Sequence, residues 1–176
     1  SSLSELAEYC KNGRVYESVE VWEEIPILSG GGVLLDTPGV DSTDHGHAMA
    51  THSALHWADI VFYVMDYNHV QSENNLSFAK SLSDWGKPLY LIINQIDKHR
   101  ERELSFTHYR NEVENSFHAW QVHYTDILFT SLKEQNHPWN QWEQLTRLIP
   151  KLLERKTELL GYSLISSMHH LVEQHV

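Results

Sequence analysis

Cysteine is almost absent from this chain of 176 residues: Cys10 stands alone, so no internal disulfide can form. With no charged leader, apolar stretch and cleavage site at the start, a reducing cytoplasm is the expected compartment. Long apolar runs are missing too. The longest, such as Ile60 to Met65, are strand-sized and far short of the roughly 20 residues a membrane helix needs. Basic residues are few, 13 Lys and Arg against 24 Asp and Glu, and the formal net charge of -11 repels phosphate backbones and anionic lipid heads. No nucleic-acid partner is therefore expected, and any membrane contact has to come from regions outside this chain. No internal repeat or low-complexity tract occurs.

What is present is an alternation of two periodicities. Ser2 and Glu5 are spaced as a capping box before a short helical face of Leu3, Leu6, Ala7 and Cys10. Val15, Val19 and Val21 alternate with polar or aromatic neighbours as in a strand. Gly30 to Gly32 then give a turn before the apolar run Val33 to Leu35, so that the two strands could form a hairpin. After that the pattern predicts helix over 48–57, strand over 60–65, helix over 74–85 and strand over 89–93. A helix capped by Ser105 with Phe106, Tyr109, Val113 and Phe117 on one face follows, then a strand over 127–129. Gly86 and Pro88 mark a helix stop. Strands separated by helix-length segments imply a parallel sheet with helices on both faces. Beyond Trp139 only helical spacing remains, interrupted by Pro150 and Gly161, and it reads as two helical pieces.

Three polar clusters fall at the C-terminal ends of expected strands, where such sheets present ligands. Asp36-Thr37-Pro38-Gly39 follows the first apolar run, Asn94-Gln95-Ile96-Asp97 follows the strand over 89–93 roughly sixty residues later, and Thr130-Ser131-Leu132-Lys133 follows the strand over 127–129. Each alone could be an ordinary strand-end turn, since Asp, Asn, Pro and Gly are favoured there. In that order the three are hard to ascribe to coincidence. A carboxylate at Asp97 could accept both N1–H and the 2-amino group of guanine, a bidentate pair that adenine cannot offer.

The runs DTPGVDST, ADIVFYVMDYNHVQSE and NQIDKHR resemble bacterial members of the dynamin superfamily, from Leu3 to about Leu148. The resemblance implies a guanine-nucleotide-binding (G) domain of α/β class, a parallel GTPase-type sheet with helices on both faces and a C-terminal helical extension. Residues 1–149 would be the partial G domain and 150–176 an extension towards a stalk or bundle. Asp36 would approach Mg2+ through water, with Thr37, Pro38 and the Gly39 N–H beside the γ-phosphate. Asn94, Gln95 and Asp97 would form the base loop, with a backbone N–H near Ser131 reading the guanine oxygen and the Lys133 stem covering the base. GTP or GDP with Mg2+, self-association through the G domain, and membrane remodelling through other regions at the inner membrane are likewise what the resemblance implies. The alternatives are a nucleotide-free interaction or dimerisation module and a translation-type GTPase.

The sequence departs from the family pattern twice. Gln95 stands where GTPases usually carry Lys, and no G-x-x-x-x-G-K-[ST] occurs: Gly30 to Gly32 runs into Val33, and Gly86-Lys87 into Pro88. The first strand and phosphate loop of the fold are thus missing, and the chain alone is expected not to hydrolyse GTP. The gap in the sheet calls for a strand supplied from elsewhere, direct pairing of the flanking strands, or a second chain. His52 and His56, four apart with His45 and His47 before them, are expected as surface histidines rather than a zinc site. Trp120, Trp139 and Trp142 are expected to pack rather than to stack on bases.

Overall fold

In a computed structural model, residues 24–37 and 54–174 are described. Three strands, β1 (Val61–Asp66), β2 (Leu89–Asn94) and β3 (Asp126–Phe129), form a parallel sheet in the order β1-β2-β3. Val61 lies beside Leu89 and Asp66 beside Asn94, while Tyr90 lies beside Asp126 and Ile93 beside Phe129. Helix α1 (Glu73–Asp84) crosses from β1 to β2 and α2 (Phe106–Ala119) from β2 to β3. Two further helices, α3 (Trp142–Glu154) and α4 (Lys156–Gln174), end the chain.

Alternation along the strands sorts the core into two faces. Tyr63, Met65, Leu89, Leu91, Ile93, Ile127 and Phe129 point to the side covered by α1 and α2, through Leu76, Ala79 and Leu82 of α1 and Phe106, Tyr109, Val113 and Phe117 of α2. On the opposite side Tyr90 packs with Leu152 and Leu159, and Ile92 and Leu128 pack with Leu145. Because α1 and α2 belong to successive crossovers moving the same way across the sheet, both fall on one face, as right-handed connections require. The helix after β3 is left to cover the other.

The helix ends follow local chemistry. Ser72 and Ser105 accept hydrogen bonds from the N–H groups of Asn75 and His108, each at 3.3 Å, and so cap α1 and α2. Gly86, with φ +68°, closes α1 in the left-handed conformation that costs glycine nothing. In the C-terminal half the two helical pieces are present, but their junction falls at Arg155. Pro150 lies inside α3 with its ring exposed, and Gly161 lies inside α4 with open space around it.

One expected strand is not formed. Residues 32–37 carry no strand pairing, and Val33 and Leu34 are 84% and 71% exposed. A run of apolar residues becomes a strand only when it pairs with a partner edge, and no described residue pairs with this one. The partner expected over 15–21 lies outside the described residues, as do the helix before Gly13 and residues 48–53 of the next; only its last turn, residues 54–57, is described as helical. The glycines that precede the run have a packing role. Segment 26–32 rests on α3, where a Cβ on Gly32 would come within 2.7 Å of a Leu153 methyl, and Lys156 donates to the Gly30 carbonyl at 3.0 Å.

Candidate functional site

At the C-terminal edge of the sheet the loops after β1, β2 and β3 are stitched together by their own backbones. The Asn94 carbonyl accepts Tyr67 N–H at 2.9 Å, Thr130 N–H reaches the Ile93 carbonyl at 2.8 Å, and Ile96 N–H reaches the Thr130 carbonyl at 3.0 Å. Thr130 Oγ1 also donates to Asn94 Oδ1 at 3.3 Å. Gln95 makes the sharp exit from β2 in the left-handed region, φ 68° and ψ 33°, and leads into a 3-10 turn at Ile96–Lys98. Ile96, fully buried, anchors that turn in the core, so the neighbouring Asp97 is carried to the rim.

There Asp97 meets the third loop. Ser131 Oγ donates to Asp97 Oδ1 at 2.6 Å and accepts Glu134 N–H at 3.0 Å. That hydrogen bond holds the Asp97 carboxyl below its ordinary range against a small opposing effect of burial, with Lys133 and His137 adding weaker attraction. Ser131 itself is fully buried. Its backbone is held by Asn140, whose Oδ1 accepts Ser131 N–H at 3.0 Å and whose Nδ2 donates to the Ser131 carbonyl at 2.8 Å. Lys133 is exposed beside this loop.

Gln95 is the exception to this satisfaction. Its side-chain Oε1 is buried without a hydrogen-bond partner among the described residues. Behind the loop, His99 is buried between Tyr67 and Glu101. Nε2 lies 3.2 Å from Glu101 Oε2 and Nδ1 3.0 Å from the Tyr67 hydroxyl, an arrangement that the Nε2–H tautomer satisfies on both sides. Glu101 Oε2 also accepts Phe106 N–H at 3.0 Å and so ties this cluster to the start of α2.

The structure thus brings Asn94, Gln95, Asp97 and Ser131 into one corner, with Lys133 at its mouth. Asp36 and Thr37 are exposed, and no hydrogen bond or ion pair among the described residues joins them to that corner; Pro38, Gly39, His45, His47 and His52 lie outside the described residues. His56 packs edge-on to Trp85 at 4.7 Å. Trp120, Trp139 and Trp142 lie at the surface, Trp139 stacked on Phe106 at 4.7 Å. Among residues missed from sequence, Asn140 left one signal: an Asn just ahead of a helix often bonds the backbone two residues on, and its Oδ1 accepts Trp142 N–H at 3.1 Å. His99 left none, since nothing in its neighbours reveals burial.

A parallel sheet with crossover helices, presenting a fixed carboxylate and a serine at its C-terminal rim, is an α/β fold of GTPase type. The chain belongs to the dynamin family, whose profile matches residues 2–97 and therefore includes both Asp36-Thr37-Pro38-Gly39 and Asn94-Gln95-Ile96-Asp97. It is 34% identical over 170 residues to dynamin-like protein A of Bacillus subtilis (strain 168), covering 97% of this chain and 14% of that protein. GTPase Der of Psychrobacter sp. (strain PRwf-1) is 33% identical over 72 residues, 37% of this chain and 15% of that protein. GTPase Der of Helicobacter hepaticus is 30% identical over 76 residues, 42% of this chain and 16% of that protein. The chain thus spans a small part of the length of these relatives. No solved structure matches it.

Proposed function

We propose that this chain is the guanine-recognising part of a GTP-hydrolysing dynamin-family protein. The observation that carries the proposal is the Ser131–Asp97 hydrogen bond at the junction of the β2 and β3 loops. It fixes a carboxylate at the sheet rim in its ionised, acceptor-only state, which suits the paired N–H donors of guanine and repels the acceptor N1 of adenine. Asn94 ties the base loop to its neighbours, and the exposed Lys133 stem would lie over a bound base.

Phosphate chemistry is only partly represented. Asp36 is exposed and offers a hard oxygen, the donor class Mg2+ takes, so it would be the residue that holds the ion. When bound, the ion would screen the phosphate charges. Thr37, with Pro38 and Gly39, would lie beside the terminal phosphate. Lacking a G-x-x-x-x-G-K-[ST] cradle, the chain alone does not turn over GTP, and the complete protein uses hydrolysis in the cytoplasm to remodel a membrane it reaches through other regions, self-associating through this domain.

The test is a fluorescent GTP titration, with phosphate release followed in parallel. It compares the chain alone with the chain preceded by a strand–loop–helix unit bearing that cradle. Tight binding and turnover only with the added unit, and a preference for GTP over ATP, are expected. Turnover by the chain alone, or equal affinity for the two bases, refutes the proposal. A second reading, a nucleotide-free interaction module, is favoured by the exposed apolar residues Val33 and Leu34 and by Leu164, Ile165 and Met168 on α4. It predicts no nucleotide binding by either form.

A further inference from the structure

We infer that Asn140 is a positioning residue for the base site: its side chain fixes the backbone of Ser131 so that the Ser131 hydroxyl holds Asp97. The inference rests on the reading of the base site proposed above, and it assigns a specificity role to a residue outside all three sequence clusters.

Asn140 belongs to the loop before α3, yet its amide acts on the loop after β3 as a short piece of strand would. Oδ1 takes the Ser131 N–H at 3.0 Å while Nδ2 gives to the Ser131 carbonyl at 2.8 Å. The same Nδ2 reaches the Glu134 and Gln135 carbonyls at 3.1 and 3.3 Å, so the amide closes the whole turn over 131–135. Two backbone anchors on one residue fix the Cα–Cβ bond from which the hydroxyl departs. The Ser131 hydroxyl also has its acceptor side occupied, by Glu134 N–H at 3.0 Å, so its proton is turned to Asp97. No other side chain in the described hydrogen bonds contacts the Ser131 backbone.

A purely structural role for Asn140, capping α3 through Trp142 N–H, makes a different prediction. Asn140→Ser separates the two, because a serine hydroxyl can still accept from the helix start but cannot span both backbone groups of Ser131. The Asp97 carboxyl is read by NMR titration in the unsubstituted chain, Asn140→Ser and Ser131→Ala, with the melting temperature as a separate readout; Lys133 and His137, the charged groups facing Asp97, are unchanged in all three. In Asn140→Ser the Asp97 carboxyl is expected to titrate at higher pH, shifted in the same direction as in Ser131→Ala, and the double substitution to add little.

In the form carrying the phosphate cradle, Asn140→Ser is expected to cut the GTP-over-ATP preference about tenfold. An Asp97 titration unmoved in Asn140→Ser but moved in Ser131→Ala overturns the inference, whatever happens to the melting temperature. If the unsubstituted protein shows no base preference, the reading of the base site fails, while the titration, which uses no nucleotide, still decides the role of Asn140. Should Asn140→Ser not fold, Asn140→Thr, which keeps a capping hydroxyl, takes its place with the same readout and the same overturning result.

Discussion

Lys87 is 5% exposed, and its ammonium donates to the carbonyls of Leu55 at 2.6 Å, His56 at 3.3 Å and Ala58 at 2.5 Å. These are the orphan carbonyls at the end of the helical turn over 54–57, so one side chain from the start of β2 terminates the element that leads into β1. Lys87→Met keeps the aliphatic stem and removes the donors. Ala58 retains a partner in Ser163 Oγ at 3.2 Å, which leaves the Leu55 and His56 carbonyls stranded. At about 1–3 kcal/mol for each buried acceptor left unmade, less the desolvation that removing a buried charge recovers, the net loss is about 2–4 kcal/mol. For a domain of this size each kcal/mol moves Tm by about 2–4 °C, so a fall on the order of 10 °C in a calorimetric scan is expected. Burial lowers the Lys87 pKa, with Asp59 partly opposing. The unfolded chain therefore binds this proton more tightly, and the penalty on the folded state is relieved as pH rises through the folded pKa towards the ordinary lysine value of about 10.4. The gap in Tm between the unsubstituted chain and Lys87→Met should accordingly widen on the alkaline side. A variant as stable as the parent would show that the carbonyls are hydrated and that Lys87 is not their tie.

Asp97→Asn exchanges an acceptor-only group for one that presents an NH2 to guanine; in the form carrying the phosphate cradle, GTP affinity should fall by about 10- to 100-fold with ATP affinity little changed, as read by fluorescence titration. The lowered pKa of Asp97 means that the folded state binds this proton less tightly than the unfolded chain. Its contribution is thus present above the ordinary aspartate value of about 3.9 and is lost as pH falls through the folded value, so the stability difference between the parent and Ser131→Ala in urea should vanish in acid rather than in alkali. Gln95→Gly removes both a left-handed non-glycine backbone and a buried unpartnered oxygen, set against the greater entropy of glycine in the unfolded chain, and should raise Tm by a few degrees, about 1 kcal/mol. A lower Tm for that variant would mean that the Gln95 side chain has a partner in solution.

Residues whose fate depends on chain-local pattern were legible in the sequence. Period-two and period-3.6 spacing located β1, β2 and β3, the helices of the crossovers, the Ser105 cap and the Gly86 stop, because each follows from burial of one face or from a single backbone conformation. The run 33–35 has the pattern of a strand, but an apolar run carries no information on whether a partner edge exists. Pro150 has the pattern of a break, whereas its tolerance inside α3 goes with an exposed position, a tertiary fact. Within the base corner the clusters after β2 and β3 were visible as strand-end polar runs. The coupling between them was not: Asn140 is nine residues from Ser131, and the bonds joining them are not repeated in any periodicity.

The two halves of the proposed site differ in how much of their geometry exists without a ligand. In the base half, Asp97, Ser131, Asn94 and Thr130 are held by hydrogen bonds among themselves, so a base that fits meets acceptors already oriented and little ordering entropy is left to oppose binding. In the phosphate half, Asp36 and Thr37 are solvent-exposed with no such bracing, and each must be ordered when phosphate and metal arrive. Gln95 sits on the base side yet has a buried oxygen that no described neighbour satisfies. An acceptor left open in an otherwise closed network lowers stability, by the same reasoning that gives Gln95→Gly its gain, and a donor arriving from a phosphate-binding unit would relieve it. The chain with that unit in front should therefore gain less from Gln95→Gly than the chain alone, and an equal gain in both would separate the open oxygen from the phosphate side of the site.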